Sequence, residues 1–214
     1  MVYPIAKLTL APFISLFIKG VDGIENLPKN SAFIIAANHQ SFFDDLALPC
    51  LVVPYLDKRV HFYANRIFFK NFFLRKFLNW SSSIPVAVDK KLDSKHVNEN
   101  AFKKAMGFIE NGGIVGIFPE GHRSEDGKLK EARTGVARLA IAAGVPVVPI
   151  GIIGSYKILP KGKMLPRLKR CRVRIGKPIY LNGYSSFDKD TLKKATKQIM
   201  ENIAQLIGQK YEYV

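Results

Sequence analysis

The sequence predicts a single α/β domain with a mixed, mostly parallel sheet flanked by helices. Three observations predict this fold: short apolar runs alternate with helical patterns, some runs are apolar throughout, and no linker divides the 214 residues. A run that is apolar at every position is typical of a strand covered on both faces, and regular strand–helix alternation is typical of parallel sheets. The length suits one domain.

Six strands and five helices are predicted after the first 30 residues. The strands are Ala32–Ala37, His61–Ala64, Ile84–Val88, Ile114–Phe118, Val147–Ile153 and Arg172–Ile175. The helices are Asp44–Val53, Ile67–Leu78, Lys95–Glu110, Thr134–Ala143 and Asp188–Gln209. Glycines after Glu110 and Ala143 are typical helix stops, and the last helix carries an apolar stripe at helical spacing.

Residues 1–30 are predicted to form an amphipathic, membrane-associating segment, and residues 31–214 the main domain. The uncharged run Leu8–Ile18 has 11 residues, whereas a bilayer-spanning helix needs about 20. Met1–Lys19 is therefore predicted to be a helix on a membrane surface, with an ordinary packed helix as the alternative, and Pro12 would kink or divide it. The expected location is the cytoplasmic face of a membrane, with peripheral or monotopic attachment.

The net charge of +16 indicates an anionic partner: nucleic acid, an acidic membrane surface or a phosphorylated substrate. The cysteines, Cys50 and Cys171, have no CxxC spacing, which excludes a disulfide framework or a thiolate zinc site and fits a reducing compartment. The histidines also lack metal-site spacing, so no metal is expected.

A histidine and an aspartate follow the first predicted strand. His39 and Asp44 would not meet on one continuous helix, but they can meet if His39 precedes the helix and Asp44 lies in its first turn. Ser41 and Asp44 form an N-cap pattern that favours this arrangement. A neutral imidazole can deprotonate an alcohol near pH 7, and a carboxylate on its other nitrogen fixes the tautomer. A capping aspartate beside an unrelated loop histidine is the alternative.

A second polar run, Phe118–Ser124, follows another predicted strand at the strand end where α/β sheets place ligands. Gly121 permits a tight turn, and the planar guanidinium of Arg123 can hold a phosphate. Glu120 can accept a hydrogen bond from a substrate hydroxyl or brace Arg123. A solvated basic loop, continued by Lys130 and Arg133, is the alternative.

Together these runs resemble the conserved blocks of the glycerolipid acyltransferases, and in particular the 1-acylglycerol-3-phosphate acyltransferase group. Residues 38–44, 118–124 and 145–150 match the first, third and fourth blocks in order and spacing, within a resemblance that covers about residues 31–154. Ile84–Lys90 occupies the place of the second block. Lys90 stands where the family usually has arginine, and His122 where many members have threonine.

The resemblance implies acyl transfer from a thioester of acyl carrier protein or coenzyme A to a hydroxyl of 1-acylglycerol-3-phosphate, giving phosphatidic acid for phospholipid biosynthesis. It implies that His39 is the general base and Asp44 its partner, without a bound cofactor. The expected substrate-binding residues are Glu120, Gly121, Arg123, Lys90, Lys130 and Arg133. Backbone N–H groups of residues 41–43 are the expected donors to the oxyanion. Another lysolipid or alcohol acceptor is the alternative.

Two further basic stretches of the sequence are candidate binding surfaces. Arg66–Trp80 mixes phenylalanines with cations, as membrane-interface segments do, although a core-packed helix is the alternative. Such a mixture could also bind nucleic acid, but no motif of that class is present and no nucleic-acid partner is expected. Residues 157–174 form either a charge-protected loop and edge strand or a docking surface for acyl carrier protein or an anionic bilayer. A non-catalytic lipid-binding relative is disfavoured by the intact His39 and Asp44.

Overall fold

The computed structural model of the protein describes residues 3–89, 93–160, 162–163 and 165–213. In these ranges the strands are β1 Ile18–Asp22, β2 Phe33–Ala37, β3 Val60–Asn65, β4 Ile84–Val86, β5 Ile114–Ile117, β6 Val147–Ile153 and β7 Cys171–Ile175. The α-helices are α1 Pro4–Leu8, α2 Leu10–Ser15, α3 Asp44–Leu56, α4 Phe72–Trp80, α5 Ser94–Glu110, α6 Gly135–Ala143 and α7 Lys189–Ile207.

The seven strands form one sheet in the order β1-β7-β6-β2-β5-β3-β4. The five strands from β6 to β4 run parallel to one another. Strand β7 runs antiparallel to β6, and β1 pairs in parallel with β7. The predicted mixed, mostly parallel sheet is thus confirmed. Because β2 and β5 are adjacent and parallel, the loops that follow them leave the sheet at the same end, where the strands have their carboxyl termini.

The side chains of β2 alternate between two apolar cores, which explains why the strand is apolar throughout. Ile34 and Ala36 join a core with residues of α5, α6 and α7. Phe33 and Ile35 join the core on the opposite face, which α3 covers. The sheet is therefore sandwiched between helices, as the fold class predicts.

The N-terminal region departs from the predicted single helix. It forms the short helices α1 and α2, which meet at Thr9, with Pro12 inside α2. The prediction of helix as far as Lys19 is wrong, because Ile18–Asp22 pairs with β7 as an edge strand. This strand has only two apolar residues and therefore carries a weak sequence signal. It also ties the predicted segment 1–30 to the sheet of the main domain.

The predicted helix Ile67–Leu78 is divided into a 3₁₀ turn, Arg66–Lys70, and helix α4. The side chain of Asn71 causes the break, since it accepts hydrogen bonds from Phe73 N and Leu74 N and so caps α4. None of the nine residues of α4 is buried, and Phe73 is 79% exposed. The core-packed alternative is therefore wrong for α4. Among the described helices, none has both the length and the hydrophobicity that crossing a bilayer requires.

Candidate functional site

Two loops at one edge of the sheet meet at His39. The loop after β2 carries His39, and the loop after β5 carries Glu120 and Ser124. The His39 backbone N–H donates to Glu120 Oε1 at 2.8 Å, and the Ser124 N–H donates to the His39 carbonyl oxygen at 2.7 Å. The loop after β5 thus binds both the N–H and the carbonyl oxygen of His39.

The predicted contact between His39 and Asp44 is present. His39 Nδ1 lies 3.0 Å from Asp44 Oδ2, and the carboxylate is fully buried. The same oxygen accepts the N–H groups of Gln40 at 2.7 Å and Ser41 at 2.8 Å. Since an ionised carboxylate only accepts hydrogen bonds, Nδ1 carries the proton of a neutral His39 and Nε2 has a free lone pair.

Stacking holds the His39 ring in place, and neighbouring charges set its pKa. The ring stacks on Phe118, with centroids 4.0 Å apart. Burial lowers the pKa of His39, but the negative charge of Asp45 and the hydrogen bond and charge of Asp44 outweigh it, so the pKa is raised overall. The positive charge of Arg123 opposes this rise. The ring is therefore oriented and made more basic by its two acidic neighbours.

His39 lines a cavity of about 900 Å³. Much of the wall is apolar and comes from α1, α3 and α4, including Ala6, Cys50, Val53, Leu74, Phe77 and Trp80. Four of the predicted phosphate-binding residues line it too: Gly121, Arg123, Lys130 and Arg133. The cavity thus offers an apolar surface for a hydrocarbon chain and cationic groups for an anion around the same imidazole.

Arg123 is the cation best prepared for a ligand. Its Nη1 atom is buried without a hydrogen-bond partner, and its guanidinium carbon lies 3.4 Å from the centre of the Phe42 ring. Burial lowers the pKa of Arg123, although an arginine stays charged near neutral pH. A buried, unpaired guanidinium donor is costly, so an anion that accepts from it would be bound favourably.

The other two cationic side chains already donate hydrogen bonds to backbone carbonyl oxygens. Lys130 Nζ donates to the Arg123 carbonyl oxygen at 2.8 Å, and Arg133 Nη2 donates to the Val88 carbonyl oxygen at 2.8 Å. Gly121 has φ 70°, and a Cβ there would lie 3.3 Å from Arg133 Nε. Glycine at this position therefore permits both the turn and the approach of Arg133.

Glu120 lies outside the cavity wall, contrary to the role expected from sequence. It is 3% exposed, and its second oxygen accepts the Lys130 backbone N–H at 2.8 Å. With both oxygens bound to backbone amides, Glu120 joins the two loops and does not brace Arg123. Burial raises the pKa of Glu120 to about 7. Lys90, the remaining predicted ligand, lies outside the described residues.

The amides expected to stabilise an oxyanion are mostly occupied. Ser41 N–H donates to Asp44, and Phe43 N–H donates to the Ser41 hydroxyl at 3.1 Å. Ser41 and Asp44 are thus hydrogen-bonded to each other, but the predicted N-cap is wrong, because α3 begins at Asp44 and its N-cap position is Phe43. Among the described residues, the Phe42 N–H is the one amide of this run that keeps no acceptor.

Sequence reasoning missed two polar residues that flank His39. Buried Asn38 pairs through both side-chain atoms with the backbone of Ile152, at 2.7 and 2.9 Å. Gln40 donates to the Gly127 carbonyl oxygen and accepts from Gly154 N–H, each at 3.1 Å. Amide side chains on both sides of a functional histidine were the available signal, since each can make two such bonds.

Gln209 and Tyr211, which follow α7, also support the loop that carries Lys130 and Arg133, and no local sequence pattern predicts these contacts. Gln209 donates to the Gly127 carbonyl oxygen at 2.8 Å and accepts the Leu129 N–H at 3.1 Å. The Tyr211 hydroxyl accepts the Ala132 N–H at 2.9 Å. Residues after α7 thus hold the loop that carries Lys130 and Arg133.

Comparisons with known proteins agree on one family. A family model described as Acyltransferase matches residues 20–153. A chloroplastic 1-acyl-sn-glycerol-3-phosphate acyltransferase of Brassica napus is 34% identical over 82% of this chain and 49% of its own length. A Bacillus subtilis protein of the same name is 29% identical over 85% of this chain and 84% of its own. The chain thus spans about half the length of the chloroplastic relative.

A solved structure has the same architecture. The crystal structure of a 1-acyl-sn-glycerophosphate acyltransferase from Thermotoga maritima has a TM-score of 0.67 and 26% identity to this chain. The likeness covers 94% of this chain and 81% of the other. It therefore extends over nearly the whole of this chain.

Asp45→Asn should lower the pKa of His39, because the substitution removes a negative charge that stabilises the imidazolium. NMR titration of the His39 ring protons measures the change. Asp190→Asn, in the first turn of α7, is the matched control and should leave His39 unchanged. An unaltered His39 titration in Asp45→Asn would contradict the electrostatic account.

Gln209→Ala should loosen the basic loop, since it removes the acceptor of the Leu129 N–H. Hydrogen exchange at that amide is expected to speed up by about 2- to 10-fold, the equivalent of one modest hydrogen bond. Gln205→Ala, an exposed glutamine on α7, is the control. Equal exchange in the two variants would show that Gln209 does not hold the loop.

Proposed function

The chain belongs to the acyltransferase family, and on that premise we propose that it acylates the free hydroxyl of 1-acylglycerol-3-phosphate from an acyl thioester, forming phosphatidic acid. One observation carries the proposal: His39, bonded to Asp44, lines a largely apolar cavity that Arg123, with its unpaired Nη1 donor, also lines. A base, an apolar surface and an anion ligand are three of the groups that this reaction requires.

In the proposed mechanism, neutral His39 removes the proton of the acceptor hydroxyl through Nε2 as the oxygen attacks the thioester carbonyl carbon. Asp44 keeps the proton on Nδ1 and stabilises the imidazolium that forms. When the tetrahedral intermediate collapses, the carbon–sulfur bond breaks, and the thiolate takes the proton from His39. The products are the new ester and a free thiol, and the enzyme returns to its starting protonation state.

The acceptor's phosphate is proposed to bind Arg123, with Lys130 and Arg133 adding positive charge and Gly121 leaving room for it. Anchoring the phosphate sets which hydroxyl faces His39 and holds it close to the base. Lys90 remains a predicted ligand of the same phosphate. Glu120 is assigned a positioning role, because its bond to the His39 N–H fixes the loop that carries the base.

The oxyanion of the intermediate requires hydrogen-bond donors. The Phe42 N–H is proposed as one of them, since Phe42 directly precedes Phe43, the N-cap position of α3, where amide dipoles favour negative charge. No cofactor takes part in this scheme, and the acyl donor, carried by acyl carrier protein or coenzyme A, enters as a substrate.

The protein is further proposed to act from the cytoplasmic face of a membrane as a peripheral or monotopic enzyme. The exposed apolar side chains of α1 and α4 support this, because a soluble surface rarely exposes so many together. They are Ile5, Leu8, Phe72, Phe73, Leu74, Phe77 and Trp80. Both helices also line the cavity, so an acyl chain could pass from the bilayer to the site.

His39→Ala should lower turnover by about 10²- to 10⁴-fold, the usual contribution of a general base, without loss of the fold. The assay offers lysophosphatidic acid and other lysolipids with acyl carrier protein and coenzyme A thioesters, and mass spectrometry identifies the products. His96→Ala, on the exposed side of α5, should retain full activity. Unimpaired turnover by folded His39→Ala would refute the base assignment.

Arg123→Ala should weaken use of lysophosphatidic acid by about 10- to 100-fold in kcat/KM, the equivalent of one charge-assisted hydrogen bond. The matched substrate is a monoacylglycerol, which has the same hydroxyl and acyl chain but no phosphate. Its slower acylation should be unaffected by the substitution. An equal loss with both substrates would mean that Arg123 does not recognise the phosphate.

Trp80, the single tryptophan of the chain, should report membrane binding. Its emission should shift to shorter wavelength with anionic vesicles. The shift should weaken as added salt screens the attraction between the positively charged protein and the anionic lipids. Phe73→Ser should reduce the binding, whereas Phe187→Ser, at an exposed position before α7, should not. Absence of a shift with vesicles, or an equal shift with an oligonucleotide, would contradict membrane association.

A further inference from the structure

We propose that residues 165–170, called here the leucine loop, form a second bilayer contact in which Leu165 and Leu168 enter the lipid interface and the adjacent cations meet anionic headgroups. This inference rests on the proposed membrane association. It extends that association to a part of the chain more than 80 positions after α4.

The two leucines are unusually exposed. Leu165 is 81% and Leu168 94% exposed, so neither contributes to the cores of the sheet. Arg167, Lys169 and Arg170 stand between and after them. No acidic residue occurs anywhere in the sequence from 157 to 174, which contains eight Lys and Arg residues. Apolar tips among cations are the composition of segments that bind the surface of anionic membranes.

The leucine loop has a defined backbone. Arg167 N–H donates to the Ile158 carbonyl oxygen at 2.7 Å, and Lys169 N–H donates to the Arg167 carbonyl oxygen at 2.7 Å. These bonds hold the loop in a turn that leaves both leucine side chains outside the protein. A preformed turn presents its apolar side chains to a bilayer with little additional loss of chain entropy.

The loop is attached to the N-terminal helices. Ile158, which bonds to Arg167, packs with Ile14 of α2 and with Phe17. Cys171, directly after the loop, donates its N–H to the Phe17 carbonyl oxygen at 2.9 Å. The loop therefore lies beside α2, whose Phe13 is also exposed. The leucines thus lie beside α2, which directly follows α1, one of the helices proposed to face the membrane.

The same region contacts the site. The Ser41 hydroxyl donates to the Leu159 carbonyl oxygen at 2.8 Å, and Ser41 N–H donates to Asp44. A bilayer contact at the leucine loop would therefore lie close in the structure to the segment that carries His39. The enzyme would then contact the membrane through two separate parts of the chain.

An acidic protein is the competing partner for this surface, since it would also be attracted to the cations. The leucines favour the bilayer, because membrane binding gains from apolar area in addition to charge, whereas a purely electrostatic contact would leave both leucines in water.

A tryptophan placed in the loop tests the proposal on the full chain. In Trp80→Phe/Leu168→Trp, vesicles of phosphatidylglycerol and phosphatidylcholine should shift the emission to shorter wavelength, and brominated lipids should quench it. Trp80→Phe/Phe187→Trp is the control, expected to show neither effect. A loop tryptophan that stays unshifted and unquenched, while native Trp80 responds, would overturn this inference and leave the membrane association intact. If native Trp80 also fails to respond, both proposals are refuted.

A second measurement tests the leucines directly. Leu165→Ser/Leu168→Ser should bind these vesicles about 10-fold more weakly, as expected for losing two interfacial leucines. It should keep wild-type kcat/KM for short-chain substrates in solution, because neither leucine lines the cavity. Unchanged vesicle binding would overturn the proposal. So would a loop tryptophan that responds to acidic acyl carrier protein but not to vesicles.

Discussion

The site depends on one carboxylate oxygen that accepts three N–H groups. Asp44 Oδ2 binds the imidazole of His39 and the backbone amides of Gln40 and Ser41. The two amides fix the loop backbone relative to the start of α3, and the third bond orients the imidazole that this loop carries. An aspartate with fewer backbone donors would orient the ring less firmly. Asp44 of the proposed catalytic pair therefore also stabilises the conformation of the loop that carries His39.

The parallel sheet determines where the two loops of the site lie relative to each other. Because β2 and β5 are adjacent and parallel, the loops that follow them lie side by side. Glu120 then joins them through two backbone amides, and Gln40 and Gln209 meet at the Gly127 carbonyl oxygen. The proposed base and the proposed phosphate ligands are thus parts of one hydrogen-bonded assembly.

Much of this arrangement could be predicted from the sequence, for reasons that particular elements make clear. Strand β2 is apolar throughout because it faces two cores, and this pattern is hard to mistake. The contact between His39 and Asp44 follows from placing one residue before a helix and the other in its first turn. Edge strand β1 carries no such pattern, since Lys19, Gly20 and Asp22 interrupt it.

Other features depended on partners distant in sequence. Glu120 was expected to face the substrate, but the Lys130 and His39 amides bind its two oxygens, and no local pattern indicates where those amides lie. Gln209 acts on a residue 80 positions away. Such contacts arise only once the sheet order is known.

The contact between Tyr3 and Trp80 has a consequence for substrate access. The Tyr3 hydroxyl donates to the Trp80 carbonyl oxygen at 3.1 Å, and the two rings lie 4.4 Å apart. Both residues line the cavity, so this contact joins the start of α1 to the end of α4 within the cavity wall. If the cavity takes an acyl chain as proposed, a smaller side chain in place of either ring would leave more room for that chain at this point.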